Sequence, residues 1–246
     1  MDGLFLDNSE TKLSGCKISP KTSTKNPTPA QAFAGGVPVF IAQQFCDDLM
    51  APTPHLDALC VFCGSQFGNN PDFAGAVTAL GTALAANMTT LVYGGGKVGL
   101  MGTCADAVLA GGGQVVGVIP TFLRDKELAH KGAQEMVVVP DMHTRKRIMF
   151  ERADAFCILP GGIGTLDEFF EIITWRQLHR HNKPIVVLNT AGYWDHMKGL
   201  LETIIARGFA HEGHSHLVDF VSNAAEVIPL IERELAAPKP AVVFKV

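Results

Sequence analysis

The stretch Ala155-Phe156-Cys157-Ile158-Leu159-Pro160-Gly161-Gly162-Ile163-Gly164-Thr165-Leu166-Asp167-Glu168-Phe169-Phe170 decides the fold. Its first five residues are apolar without alternation. So short a run, closed by Pro and Gly, reads as a strand buried on both faces of a parallel sheet. The glycines make a tight turn, and a helical pattern begins at Thr165. The same strand–turn–helix unit recurs along the chain. Apolar runs at 58–63, 90–93, 114–119, 135–139, 155–159 and 184–188 predict strands, with a short late strand at 217–220. Helical patterns fall at 71–86, 99–110, 142–152, 165–180, 193–207 and 223–235. This alternation predicts an α/β domain. Its core is a Rossmann-like, doubly wound, mostly parallel sheet with helices on both faces. In such sheets ligands bind beyond the carboxyl ends of the strands, so those ends hold the candidate site.

Three strand ends open into small-residue turns: Cys63-Gly64-Ser65, then Gly94-Gly95-Gly96-Lys97-Val98-Gly99, then Pro160-Gly161-Gly162-Ile163-Gly164-Thr165. Glycine lets backbone N–H groups approach an anion, and the following helix points its positive end at the same place. One such turn would be ordinary strand-to-helix geometry. Three on one sheet edge, with the hydroxyls of Ser65 and Thr165, predict a phosphate-bearing ligand. Gly94-x-Gly96-x-x-Gly99 matches the dinucleotide fingerprint formally, but the next strand ends in Pro120-Thr121 where an acidic ribose ligand belongs, which disfavours NAD. Lys97 is followed by Val98, so there is no Walker A motif.

Composition narrows the classes further. The chain has 246 residues, 47% hydrophobic and 18% charged, with a formal charge of −4. Such a chain is globular, carries no basic footprint for a nucleic acid polymer, and has no apolar run long enough to span a bilayer. The six cysteines, Cys16, Cys46, Cys60, Cys63, Cys104 and Cys157, form no disulfide framework and suit a reducing, cytoplasmic compartment. Cys60 and Cys63 form a CxxC inside a predicted strand, where positions three apart point to opposite faces, so a shared metal is disfavoured. His211-x-x-His214-x-His216 reads as a loop beside Gly213 and Ser215, and no metal is expected there. Residues 1–56 hold six of the 14 prolines and no persistent period. They are expected to be a largely disordered extension ahead of a domain at 57–246, and a targeting role for them stays open.

Two charged segments flank the predicted ligand edge. Glu168 follows the third turn and is expected in the first turn of its helix, where acids commonly complement the dipole. Met142-His143-Thr144-Arg145-Lys146-Arg147 opens another helix and, alone, reads as a solvated basic face.

Taken together, Met142-His143-x-Arg145-Lys146 and Pro160-Gly161-Gly162-x-Gly164-Thr165-x-x-Glu168 resemble the Lonely Guy (LOG) family, the cytokinin riboside 5′-monophosphate phosphoribohydrolases often mislabelled lysine decarboxylases. Val61-Phe62-Cys63-Gly64-Ser65, the loop 94–102, Thr174-Trp175-x-Gln177-Leu178, Lys183-Pro184 and Leu188-Asn189-x-x-Gly192-Tyr193 extend the match from about residue 56 to the C-terminus. The resemblance implies a homodimer that splits a nucleoside 5′-monophosphate into a free base and ribose 5-phosphate, without cofactor or metal. Arg145 and Glu168 fall on the catalytic pair. Implied nucleotide contacts are Glu127, Met142, Lys146, Gly161, Gly162, Ile163, Gly164, Thr165, Leu166, Asp167 and Thr174, beside Gly64, Ser65, Gly95 and Gly96 from the turns. Glu127 sits in Lys126-Glu127-Leu128-Ala129-His130, a weaker match. Competing readings are a general AMP or purine monophosphate nucleosidase and a non-catalytic carrier like those of the molybdenum cofactor. A pyridoxal-phosphate decarboxylase fits poorly, since no Schiff-base lysine with an acidic partner can be placed.

Overall fold

The computed structural model describes residues 54–126 and 128–237. All but the last three residues of the expected extension therefore lie outside the described residues, as do Cys16 and Cys46. Seven strands form one sheet: β1 (Ala58–Phe62), β2 (Thr90–Tyr93), β3 (Val115–Pro120), β4 (Glu135–Val139), β5 (Ala155–Ile158), β6 (Ile185–Leu188) and β7 (Asp219–Val221). Their order is β4-β3-β2-β1-β5-β6-β7, and every neighbouring pair is parallel. The helices are α1 (Asp72–Ala86), α2 (Gly99–Ala110), α3 (Thr121–Arg124), α4 (Met142–Glu151), α5 (Ile163–Gln177), α6 (Asp195–Ala206) and α7 (Val227–Ala236).

Alternation along each strand builds two cores. Leu59, Val61 and Cys63 face a layer made by Val77, Leu80 and Leu84 of α1, Cys104 and Val108 of α2, and Ile231 of α7. Cys60 and Phe62 face the opposite layer, with Met149 of α4, Phe169 and Ile172 of α5, and Met197 of α6. The two cysteines of the CxxC thus belong to different layers, as strand geometry requires. Burial pushes both thiols well above their usual range. No helix among the described residues is long and apolar enough to cross a membrane.

Several boundaries depart from the sequence reading. α5 begins at Ile163, because Gly162 is already its N-cap, and it ends at Gln177, where His179 turns left-handed at φ 54. Glu168 consequently lies in the second helical turn, not the first, so complementation of the dipole does not explain it. The helix expected from residue 193 is preceded by a 3-10 turn, Thr190–Gly192, and starts at Asp195. The one expected from residue 223 is a 3-10 turn capped by Asn223 and then α7. The histidine segment forms a 3-10 helix, Glu212–His216, in place of the expected loop. The four-residue α3 was not anticipated, since one turn carries no period.

α1 and α2 approach closely at Gly81. A Cβ there would lie 2.6 Å from the Ala107 Cβ and 2.9 Å from the Cys104 carbonyl oxygen. Gly75, on the exposed side of the same helix, has nothing within 4 Å of that position among the described residues. Gly81→Leu is expected to overpack the layer and destabilise by about 1–3 kcal/mol. Gly75→Ala is expected to stabilise by about 0.5–1 kcal/mol through helix propensity. Denaturant titration of both variants checks the pair, and equal effects would contradict the packing.

Candidate active site

Strand order reverses between β1 and β5. β2, β3 and β4 extend to one side of β1, and β6 and β7 extend to the other side of β5. Loops leaving these two strands diverge and open a crevice at the carboxyl end of the sheet. The Gly64 N–H donates to the Pro160 carbonyl at 3.0 Å, and the Met101 N–H donates to the Gly64 carbonyl at 3.2 Å. The three glycine turns are thereby joined. Gly161 has no room for a side chain: a Cβ would strike the Thr165 hydroxyl and approach the Gly64 nitrogen to 3.0 Å. α5 starts directly from this turn with no side-chain cap. The first-turn N–H groups of Ile163, Gly164 and Thr165 therefore have no intrahelical acceptor and are available to an anion.

Arg145 and Glu168 face each other across the crevice floor. α4 is started by Asp141, whose carboxylate accepts from the Thr144 N–H at 2.8 Å. That cap directs Arg145 inward under the sheet edge. Its Nε donates to the Val118 carbonyl at 3.1 Å and its Nη2 to the Gly94 carbonyl at 3.2 Å. Gly94 leaves the space this needs, since a Cβ there would overlap the Arg145 guanidinium. Nη1 remains and lies 3.4 Å from Oε1 of Glu168, an ion pair without hydrogen-bond geometry. Both side chains are about nine-tenths buried. Burial pushes the Glu168 carboxyl from 4.5 up to about 7, and the Arg145 charge opposes that rise without cancelling it.

The crevice has a volume of about 350 Å³, within the range of small-molecule sites. The structure brings Gly64, Ser65, Gly96, Arg145, Gly162, Ile163, Gly164, Thr165 and Glu168 together around it. Val98, Met101, Ile119, Leu123 and Leu128 supply an apolar wall. None of these five was singled out from sequence. Leu123 and Leu128 sit in the segment around α3 that has no helical period, and Ile119 is one more apolar strand residue.

Other expected contacts lie elsewhere. Lys146 turns away from the crevice, and its ammonium pairs with Asp167 at 3.0 Å and Glu171 at 3.1 Å. Burial lowers its pKa, but the hydrogen bonds to Asp167 and Glu171 outweigh that and raise it. Asp167 is committed to this pair, and Leu166 packs on the sheet. Gly95 turns at φ +74, where a Cβ would come within 3.1 Å of Ile119 and Met136, and it is not among the residues lining the crevice. Met142 offers its sulfur to Nη1 of Arg145 at 3.8 Å. Gly161 lines a neighbouring cleft with Phe67, Phe73 and Tyr193. Thr174 is six residues past Glu168, about 120° round the helix at 3.6 residues per turn. It lines a separate groove of about 400 Å³ between α5 and α6. Glu127 lies outside the described residues. Among the described residues no group of three or more His, Cys, Asp or Glu side chains is placed to hold a metal.

The chain is similar to several known proteins. The family model described as "Possible lysine decarboxylase" matches residues 101–231, more than half of the chain. Cytokinin riboside 5′-monophosphate phosphoribohydrolase LOG1 of Arabidopsis thaliana is 41% identical over 71% of this chain and 82% of its own length. The cytokinin riboside 5′-monophosphate phosphoribohydrolase of Rhodococcoides fascians is 47% identical over 64% of this chain and 79% of its own length. Among solved structures, the molybdenum cofactor binding protein of Rippkaea orientalis superposes with a TM-score of 0.57 at 19% identity, covering 73% of this chain and 97% of that one. At that identity the likeness concerns the fold alone.

The raised pKa of Glu168 has a consequence for stability. Ionising a carboxyl is harder in the folded protein than in the unfolded chain, so its contribution is intact below about pH 4.5 and is lost as pH rises through about 7. The loss amounts to about 3 kcal/mol. Glu168→Gln does not titrate. Its melting temperature, relative to the unmutated protein, is expected to climb between pH 5 and pH 8. A difference that stays flat across that range would contradict the burial.

Proposed function

From the premise that this chain belongs to the Lonely Guy (LOG) family, we propose that it hydrolyses the N-glycosidic bond of cytokinin riboside 5′-monophosphates. The products are a free N6-modified adenine and ribose 5-phosphate. One observation carries this reading: a buried Arg145–Glu168 pair lines a crevice together with the uncapped first turn of α5, Gly162 to Thr165.

Breaking a ribose–base bond develops positive charge on the sugar. A carboxylate beside the anomeric carbon stabilises that charge and orients the attacking water. Glu168 fits this role once ionised, and its low-dielectric surroundings strengthen its field on the sugar. A guanidinium is a poor proton shuttle, which suits Arg145 to binding and orientation. Its two carbonyl bonds fix the guanidinium, which leaves Nη1 to hold Glu168 in place and to contact the nucleotide. The amides of Gly162–Thr165 grip the 5′-phosphate, and the binding energy positions the glycosidic bond. The apolar wall suits the base and its N6 substituent. The crevice contains no lysine among its described lining residues, which speaks against a Schiff-base decarboxylase.

Purified protein incubated with isopentenyladenosine monophosphate, AMP, GMP and CMP is expected to release base from the first most readily. Chromatography of the released bases reads the result. Equal release from AMP would indicate a general nucleosidase, and no release would indicate a carrier. Comparable turnover of nucleosides lacking the phosphate would remove the phosphate grip from the mechanism. Glu168→Gln is expected to abolish release while retaining much of the nucleotide binding. The kcat/KM profile should rise with pH to an apparent pKa near 7, as Glu168 ionises. A fall over the same range would make Glu168 a general acid instead.

The protein acts as a homodimer on this reading, because Thr174 lies outside the crevice of its own subunit and would serve the partner's. Light scattering is expected to give about twice the chain mass of 26.3 kDa. Mixing Glu168→Gln with Thr174→Ala subunits should then yield more activity than the two parents combined, since each mixed dimer regains one intact site. Exchange of subunits without that gain would place Thr174 outside catalysis.

A further inference from the structure

We propose that Tyr193 is a positioning residue for the phosphate grip: its hydroxyl sets the orientation of the Gly161–Gly162 peptide, and so aims the Gly162 N–H at the ligand. The proposal rests on the reading of the crevice as a nucleotide site.

Tyr193 belongs to the connection after β6, far in sequence from the glycine turn. Its hydroxyl donates to the Gly161 carbonyl at 2.5 Å, across 32 residues. No cis peptide bond occurs in the described chain. In a trans peptide the carbonyl of one residue and the N–H of the next point in opposite directions. Holding the Gly161 carbonyl toward Tyr193 therefore directs the Gly162 N–H away from Tyr193. Gly162 stands between two spaces: the cleft lined by Tyr193, and the crevice lined by Arg145 and Glu168. The N–H thus points to the side of the reacting pair. Among the described residues it has no protein acceptor. The alignment extends the row of first-turn donors of α5 by one.

The connection is built to hold the hydroxyl there. Ala191 at φ 52 and Gly192 at φ 71 are both left-handed, which for alanine costs about 1–2 kcal/mol. The Asn189 side chain counters this by accepting from the Trp194 N–H at 2.7 Å and donating to Asp195 at 2.7 Å. The Tyr193 ring meets Phe73 and Trp194 edge-on, at centroid distances of 5.2 and 4.7 Å. Ring packing and hydroxyl contact are separable, because phenylalanine keeps the first and loses the second. A glycine pair without this tether can flip its peptide plane at little cost.

The test is Tyr193→Phe, read by calorimetric binding of ribose 5-phosphate and of free adenine, with the melting temperature measured alongside. Ribose 5-phosphate binding is expected to weaken about tenfold, the equivalent of one aligned hydrogen bond to a charged group. Adenine binding and melting temperature should hold. The preference for a nucleoside monophosphate over its nucleoside, as a ratio of kcat/KM values, should fall by a similar factor. Unchanged ribose 5-phosphate affinity would overturn the proposal, as would parallel loss of adenine and phosphate binding, which would mean general loosening of the crevice. If the unmutated protein itself fails to bind ribose 5-phosphate, the nucleotide reading of the crevice fails, and that is distinguishable from an error about Tyr193.

Discussion

The site depends on where the Arg145 guanidinium is held. A buried cation must have its donors occupied, or the burial costs several kcal/mol. Here one donor ends on the carbonyl of Gly94, just past β2, another on the carbonyl of Val118 within β3, and a third faces Glu168. The Gly94 carbonyl belongs to the turn that begins as β2 ends, whereas the Val118 carbonyl still lies within β3. The glycine at residue 94 is the sequence condition for this, since any side chain there would occupy the guanidinium's place. The sheet edge thus supplies the cation's seat, and the cation limits how far the burial of Glu168 can raise its pKa.

Much of the fold was legible in sequence for one reason. A parallel sheet covered on both faces needs continuous short apolar runs, and nothing else in a chain of this composition produces six of them at such intervals. The 90–93 and 135–139 strands match the sheet residue for residue, and the others shift by one or two. The errors gather where backbone conformation overrides periodicity. Gly162 begins a helix that the pattern starts only at Thr165. His179 ends it in a left-handed turn, a conformation open to histidine but not marked by hydrophobic period. Asn189 organises a bend whose importance depends on atoms thirty residues away.

The candidate site was legible through its turns and its charged pair, and less so through its walls. Arg145 and Lys146 illustrate the limit. Adjacent on α4 and both buried, they look alike in sequence, yet a step of 100° on the helix sends one beneath the crevice and the other to Asp167 and Glu171. Which of the two enters the site is decided by the carbonyls and carboxylates that surround each one, and those come from strands and helices remote in sequence. Apolar walls are harder still. Ile119 and Leu128 carry no mark that distinguishes a wall of a crevice from a residue of the core.

The commitment of Lys146 bears on how an anion is held. A chain with a formal charge of −4 offers little long-range attraction to a nucleotide, and Lys146 is paired with two carboxylates. Arg145 is partly neutralised by Glu168. On the proposed reading, a phosphate is held by short-range donors that carry no net charge, namely the amides at the start of α5 and the positive end of its dipole. Such donors act only when aimed, and their strength falls steeply with angle. A lysine can swing to follow its ligand, whereas a row of backbone amides depends on the peptide planes being fixed before the ligand arrives. The residues around the glycine turn are tied to one another in a way that suits this proposed requirement: Gly64 to Pro160, Met101 to Gly64, and Tyr193 to Gly161. The role proposed for Tyr193 gives the same purpose to the connection after β6, which is held by two hydrogen bonds of the Asn189 side chain.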